Sequence, residues 1–141
     1  MGGDGQLKTF KLKGLKIVEN EEKEIRAKVI PLLEGLVINR EDEMGWLIEA
    51  FIDASYESYF ESIETMQELI IQVKITREEN DPAFFITEIV SINKISEGKI
   101  NVIFQGHVVD HRKSRIEELL QEILKQGYQG ESLLKKFKES I

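Results

Sequence analysis

The chain has 141 residues, 41% hydrophobic and 32% charged, which is typical of one soluble globular domain. Its net charge of −7 argues against general binding to nucleic acid, because phosphate backbones are bound by surplus Lys and Arg. It contains no Cys, which excludes disulfides, thiolate nucleophiles and cysteine-based metal sites. No apolar run reaches the ~18–20 residues of a membrane span and no signal peptide is apparent. We therefore expect a cytoplasmic protein that binds neither nucleic acid nor membranes.

The first part of the chain combines a leader with strand-like segments. Residues 1–7 are rich in Gly and predict a flexible leader that was added to the natural chain. Apolar residues then alternate with polar ones, which predicts a strand-built core over residues 8–110. The alternation changes phase at Gly14, which predicts a β-bulge. A second extended segment covers Ile25–Asn39, in which Pro31 marks an edge or a bulge because it cannot donate a ladder hydrogen bond.

A short helix is predicted between the middle strands. Trp46–Asp53 alternates cleanly, with Trp46, Ile48, Ala50 and Ile52 on one side. Helical spacing then follows, and Ser55 is the predicted N-cap. Strand patterns return at Leu69–Thr76, Phe84–Ile95 and Lys99–Val109. Six or seven short antiparallel strands predict a barrel or a sandwich, and we take the barrel: a mainly β (α+β) fold with one short inserted helix.

The tail, residues 111–141, is predicted to form a helical hairpin. Ser114 and Glu117 fit a capping box, and apolar residues then recur every three or four positions. Gly127 is the predicted helix stop, and a second amphipathic helix follows Gly130. The hairpin therefore packs on the core or on another subunit.

The apolar stripe of the tail is the predicted interaction surface. We expect a homo-oligomer, a dimer or a tetramer, in which the stripe residues contact another chain: Ile116, Leu120, Ile123, Leu134 and Phe137. Arg112 and Arg115 join this set, because positive charge is disfavoured in a first helical turn and suits an acidic partner surface. If the tail packs in cis instead, the five apolar positions are core and their mutation destabilises the fold.

Catalytic and metal motifs are weak. His107 and His111, with Asp110 between them, suggest a metal-dependent hydrolase, but closed metal sites need three or four good ligands. The acidic clusters at residues 41–43 and 78–81 lack the spacing of a calcium loop and are interpreted as solvated turns. Glu49 and Asp53 share a strand face, which leaves two interpretations. Either one of these carboxylates is buried, or both are exposed at a sheet edge. We predict no catalytic residue, no metal ligand and no cofactor.

An aromatic cluster, Tyr56, Tyr59 and Phe60, has two interpretations. Such residues stack on nucleic acid bases in some barrels, but that use requires a basic groove. Residues 1–111 carry 21 Asp and Glu against 12 Lys and Arg. A helix that packs its aromatic face onto the barrel is therefore preferred.

Three segments carry a resemblance to a known family: Lys8–Leu12, Pro31–Asn39 and Trp46–Ala50. They resemble the YwpF-like family of small bacterial proteins, and the similarity covers nearly all of the chain from Lys8 onward. The resemblance implies a β-barrel core followed by a two-helix pair, with a core similar to the Hcp proteins that stack as rings in type VI secretion tubes. Hcp proteins lack such a hairpin, so rings and secretion are not carried over.

Three hypotheses follow for the function. The preferred one is a non-catalytic protein that acts through protein–protein contact and self-association. The second is a barrel that binds a small ligand or lipid inside an unfilled interior. The third is the hydrolase around His107 and His111.

Overall fold

The structure is a computed structural model that describes residues 8–21, 24–40, 45–66, 68–109 and 113–140. Seven strands lie within these ranges: β1 (Lys8–Glu21), β2 (Glu24–Val29), β3 (Glu34–Asn39), β4 (Trp46–Asp53), β5 (Leu69–Ile75), β6 (Ala83–Ser96) and β7 (Lys99–Val109). A 3-10 turn (Ala54–Tyr56) and helix α1 (Glu57–Glu64) lie between β4 and β5. Helices α2 (Lys113–Lys125) and α3 (Glu131–Ser140) follow β7.

The strands form a closed antiparallel barrel. The sheet order is β2-β1-β3-β4-β7-β6-β5, and a further pairing of β1 with β5 closes it. Six strands form the wall, while β2 extends one edge of β1 beyond it. The predicted fold class, an antiparallel barrel with one short inserted helix and a C-terminal two-helix pair, is confirmed.

Strand β1 contains the predicted bulge and shows why the segment predicted at Ile25–Asn39 is divided in two. Its pairing with β5 shifts register between Leu12 and Gly14, so the bulge at Gly14 is confirmed. On the opposite edge, β1 pairs first with β3 and then with β2. The extended segment predicted at Ile25–Asn39 is therefore two strands, and Pro31 lies in the break between them, where no ladder hydrogen bond is needed.

The barrel interior is filled by apolar side chains, and α1 closes one end. Inward-facing residues from several strands are fully buried, among them Val37, Ile48, Ala50, Ile52, Phe85, Val102 and Phe104. Phe60 of α1 is also fully buried, with its ring centroid 6.0 Å from that of Phe104. The predicted N-cap is wrong by two residues: the Asp53 carboxylate, not Ser55, caps this segment by accepting the Ser55 backbone N–H at 2.8 Å.

The helix pair forms a second core on the outside of the barrel. Helix α2 begins at Lys113, one residue before the predicted cap Ser114. Gly127 has φ +98° and its N–H donates to the Leu124 carbonyl, so the predicted helix stop is confirmed. Apolar residues of both helices pack with Ile70, Phe84 and Val109. None of the helices in the described part of the chain is long and apolar enough to cross a bilayer.

Candidate functional site

The predicted interaction stripe lies in the second core of this same chain. Ile116, Leu120, Ile123, Leu134 and Phe137 are all buried, with Ile116 and Phe137 fully so. They pack against the outward-facing side chains of Ile70 on β5, Phe84 on β6 and Val109 on β7, which we define as the covered face. The stripe is therefore used in cis, and it leaves only the outer surfaces of α2 and α3 for contact with other chains.

The charged members of the predicted set, Arg112 and Arg115, are described only in part. Arg112 lies outside the described residues, as does the Arg115 side chain, although its backbone is in the first turn of α2. The predicted role of both in contacting an acidic surface stays a prediction. An ion pair of 2.9 Å joins Lys138 of helix α3 to Glu68, just before β5. Because both side chains are well exposed, it adds little stability.

His107 is exposed near the end of β7, opposite Ile86 of β6. Its ring lies against Gly45, where a Cβ atom would come within 2.8 Å of it. Asp110 and His111, the other members of the predicted metal group, lie outside the described residues. Among the described residues, no three acidic or His side chains gather as metal ligands. The hydrolase hypothesis gains no support from the site.

The carboxylates that share a face of β4 have separate surroundings. Asp53 is exposed, and the hydrogen bond from the Ser55 N–H lowers the pKa of its carboxyl. Glu49 is partly buried, four residues back along the strand. Glu78, Glu79 and Asp81 are exposed in the turn between β5 and β6, while residues 41–43 lie outside the described part. These groups do not converge on one site.

The aromatic residues of the 3-10 turn and of α1 face the barrel, as the preferred interpretation predicts. Tyr56, Tyr59 and Phe60 belong to or pack against the barrel core. The Tyr59 hydroxyl donates to Glu19 at 2.7 Å. Burial, and next that hydrogen bond to the carboxylate, raise the pKa of the Tyr59 hydroxyl. The ring is thus a packing element with a satisfied polar end.

A different outer surface of the barrel is apolar and belongs to neither core. We define the open face as the outward-facing side chains of Leu36 and Ile38 on β3, Leu47 and Phe51 on β4, and Ile103 on β7. All five are partly buried in the sheet surface, and none joins either hydrophobic cluster. Strand pairing places Leu36 opposite Glu49, Ile38 opposite Leu47, and Glu49 opposite Ile103. The face is therefore continuous across three strands.

Two exposed apolar residues extend this surface at its margins. Leu33 is 61% exposed, and its N–H donates to the Phe51 carbonyl at 2.8 Å. Val90 is 53% exposed at a break in the β6–β7 register, beside the pairing of Ser91 with Ile103. The sequence shows that Leu47, Glu49 and Phe51 share one strand face. It does not show that β3 and β7 supply the neighbouring apolar residues.

An apolar pocket of about 240 Å³ lies beside the barrel, where β1 and β5 stop pairing. The last paired residues are Ile17 and Ile71. Beyond them, the pocket is covered by α1 and by the beginning of α3, and its lining includes Ile63, Met66 and Leu133. It is distinct from the barrel interior, which is filled by side chains.

Comparisons with known proteins agree with this architecture. Residues 8–140 match the family described as YwpF-like protein. The chain belongs to the YwpF-like family. The match covers both the barrel and the helix pair, so the family's domain includes the second core.

Two individual proteins of similar sequence can be named. The uncharacterized protein YwpF of Bacillus subtilis (strain 168) is 35% identical over 137 residues, which is 96% of this chain and 100% of that protein. A solved structure, the crystal structure of a hypothetical protein from Staphylococcus aureus, is 35% identical and has a TM-score of 0.68. The matched region covers 93% of this chain and 90% of the Staphylococcus aureus chain. Neither assigns an activity to the YwpF-like family, and the predicted similarity to Hcp barrels is not confirmed.

Proposed function

We propose that the protein acts without catalysis, through protein–protein contact, and that it self-associates through the open face as a dimer or a tetramer. The observation that supports this most is the row of apolar side chains across β3, β4 and β7, which neither core covers. Contiguous apolar patches on a folded surface mark interaction sites more often than isolated apolar residues do.

The neighbouring polar groups support a contact role. Asp53, at the end of β4, is engaged in capping. The open face consists of apolar residues around Glu49 and has Lys11 at its margin. Interfaces typically combine an apolar centre with a polar rim, and the open face departs from this pattern at Glu49, whose carboxylate would need an opposite charge from the partner.

The test is the molar mass in solution, measured by light scattering over a range of protein concentrations. We expect the molar mass of the wild-type protein to be a multiple of the mass of one chain. The Leu36→Asp variant should be a folded monomer, because the substitution places a charge among the apolar residues of the open face. The matched control is Ile95→Asp, which alters a residue that is 50% exposed near the β6–β7 turn. It should retain the wild-type mass. A wild-type chain that is monomeric throughout would contradict the proposal.

The pocket between α1, α3 and β1 supports a second candidate, the binding of a small apolar ligand. Because the barrel interior is filled, a ligand would bind beside the barrel rather than inside it. A volume of about 240 Å³ is below the usual range for drug-sized ligands, ~300–1,000 Å³, so it suits a short apolar group. Hexyl-chain amphiphiles are suitable probes: a rise in melting temperature that Leu133→Trp abolishes would support this candidate, and no rise would remove it.

A further inference from the structure

The open face carries an ordered arrangement of charge. Lys11 on β1 is opposite Leu36 on β3, and Leu36 is opposite Glu49 on β4, so the three lie in one row across the sheet. In the next row, Thr9 is opposite Ile38, which is opposite Leu47. From β1 to β4, the first row therefore has a positive, then an apolar, then a negative side chain. The second row has apolar side chains on β3 and β4.

Among the residues that the structure describes, neither charge of the row has an opposite charge paired with it. Lys11 and Glu49 are separated by two strand spacings, about 10 Å. Lys11 is exposed, while Glu49 is partly buried among Leu47, Phe51 and Ile103. A partner with the opposite order of charges would complement both.

We propose that this partner is a second copy of the chain, docked face to face about a two-fold axis that runs along β3. This inference rests on the proposed function and names the partner of that same surface. An axis in the interface plane along β3 places Leu36 on the partner's Leu36 and Ile38 on the partner's Ile38. It places Lys11 on the partner's Glu49, and Glu49 on the partner's Lys11, so one interface contains two opposite-charge contacts.

Other axes give poorer complementarity. An axis along β4 places Glu49 on the partner's Glu49, and like charges in contact oppose association. An axis across the strands, between the two rows, places Glu49 on the partner's Leu47 and leaves its carboxylate unpaired on an apolar surface. The outer surface of a barrel is convex, so two barrels contact each other along few strands. Three strands centred on β3 carry the complementary pattern.

The test reverses the two charges separately and together. Lys11→Glu and Glu49→Lys should each weaken self-association roughly tenfold or more, because each creates two like-charge contacts. The double variant should recover the wild-type affinity. An equimolar mixture of the single variants should form a heterodimer, since each then supplies the charge that the other needs. Sedimentation equilibrium measures the self-association of the two single variants and the double variant, and the heterodimer in the mixture.

Control variants and alternative outcomes separate this inference from the proposed function. Lys94→Glu and Glu97→Lys reverse exposed charges near the β6–β7 turn and should leave the affinity unchanged. If wild-type protein is oligomeric but the single reversals have no effect, or neither the double variant nor the mixture recovers affinity, the axis along β3 is wrong and the proposed function stands. If wild-type protein is monomeric, the proposed function and the axis along β3 are both wrong. Melting curves near that of the wild type show that the variants are folded.

Discussion

The covered face and the open face lie on one barrel wall, and the chain treats them differently. On the covered face, Ile70, Phe84 and Val109 are buried under α2 and α3. On the open face, Leu36, Leu47 and Ile103 stay partly exposed and join neither core. The helix pair thus buries the covered face within its own chain and leaves the open face uncovered. The amphipathic tail, whose sequence predicts assembly, is part of the monomer's own core, and the proposed contact surface lies on another part of the barrel wall, across β3, β4 and β7.

The largest expected effect lies under the helix pair. Phe137→Ala removes a fully buried ring and should lower the free energy of unfolding by about 3–5 kcal/mol. Urea denaturation measures this change. Lys135→Ala, on the exposed side of the same helix, should change it by less than about 0.5 kcal/mol. A stable Phe137→Ala variant that has lost its oligomeric state would instead assign Phe137 to a contact between chains.

A slightly smaller effect is expected at Gly106 on β7, between Ile103 of the open face and Val109 of the covered face. A Cβ atom there would overlap the carbonyl oxygen of Ile86 on β6, and this backbone cannot move without opening the β6–β7 ladder. Gly106→Ala should therefore destabilise by about 3 kcal/mol in the same denaturation assay. Gly98→Ala in the β6–β7 turn, where an added Cβ atom would meet nothing within 4 Å beyond its chain neighbours, should be neutral. Equal effects would mean that the strand packing at Gly106 is looser than described.

The smallest effect concerns Asp53, where β4 and the open face end. The hydrogen bond from the Ser55 N–H lowers the pKa of Asp53 below its ordinary value of 3.8. Its stabilisation is therefore fully present above pH 3.8 and is lost as pH falls through the lower, folded-state pKa. Asp53→Asn should melt slightly below the wild type at pH 7, and the difference should disappear as the carboxyl is protonated. A difference that is constant with pH would contradict this role.

Local patterns predicted most of the barrel, because they depend on neighbouring residues. The alternation in Trp46–Asp53, the bulge at Gly14 and the helix stop at Gly127 all appear where expected. The cap was placed on Ser55 rather than Asp53, because both residue types accept such hydrogen bonds and only the backbone conformation decides.

The functional surfaces depend on long-range pairing and were harder to predict. A stripe such as Ile116, Leu120 and Ile123 has the same spacing whether it packs in cis or in trans, so the sequence could not choose between them. The open face joins β3, β4 and β7, and its register follows from the break at Pro31 and the closure of β1 on β5. None of these long-range pairings is visible in the periodicity of a single segment.

The central claim is that the open face, and not the helix pair, contacts another chain. The chain has no Cys, so a single introduced thiol reports one position. Thr9→Cys places a thiol on the exposed margin of the open face, and Lys135→Cys places one on the exposed side of α3. With a short bismaleimide crosslinker, we predict covalent dimers for Thr9→Cys and monomers for Lys135→Cys. Dimers only from Lys135→Cys would contradict the claim and return the contact to the helices.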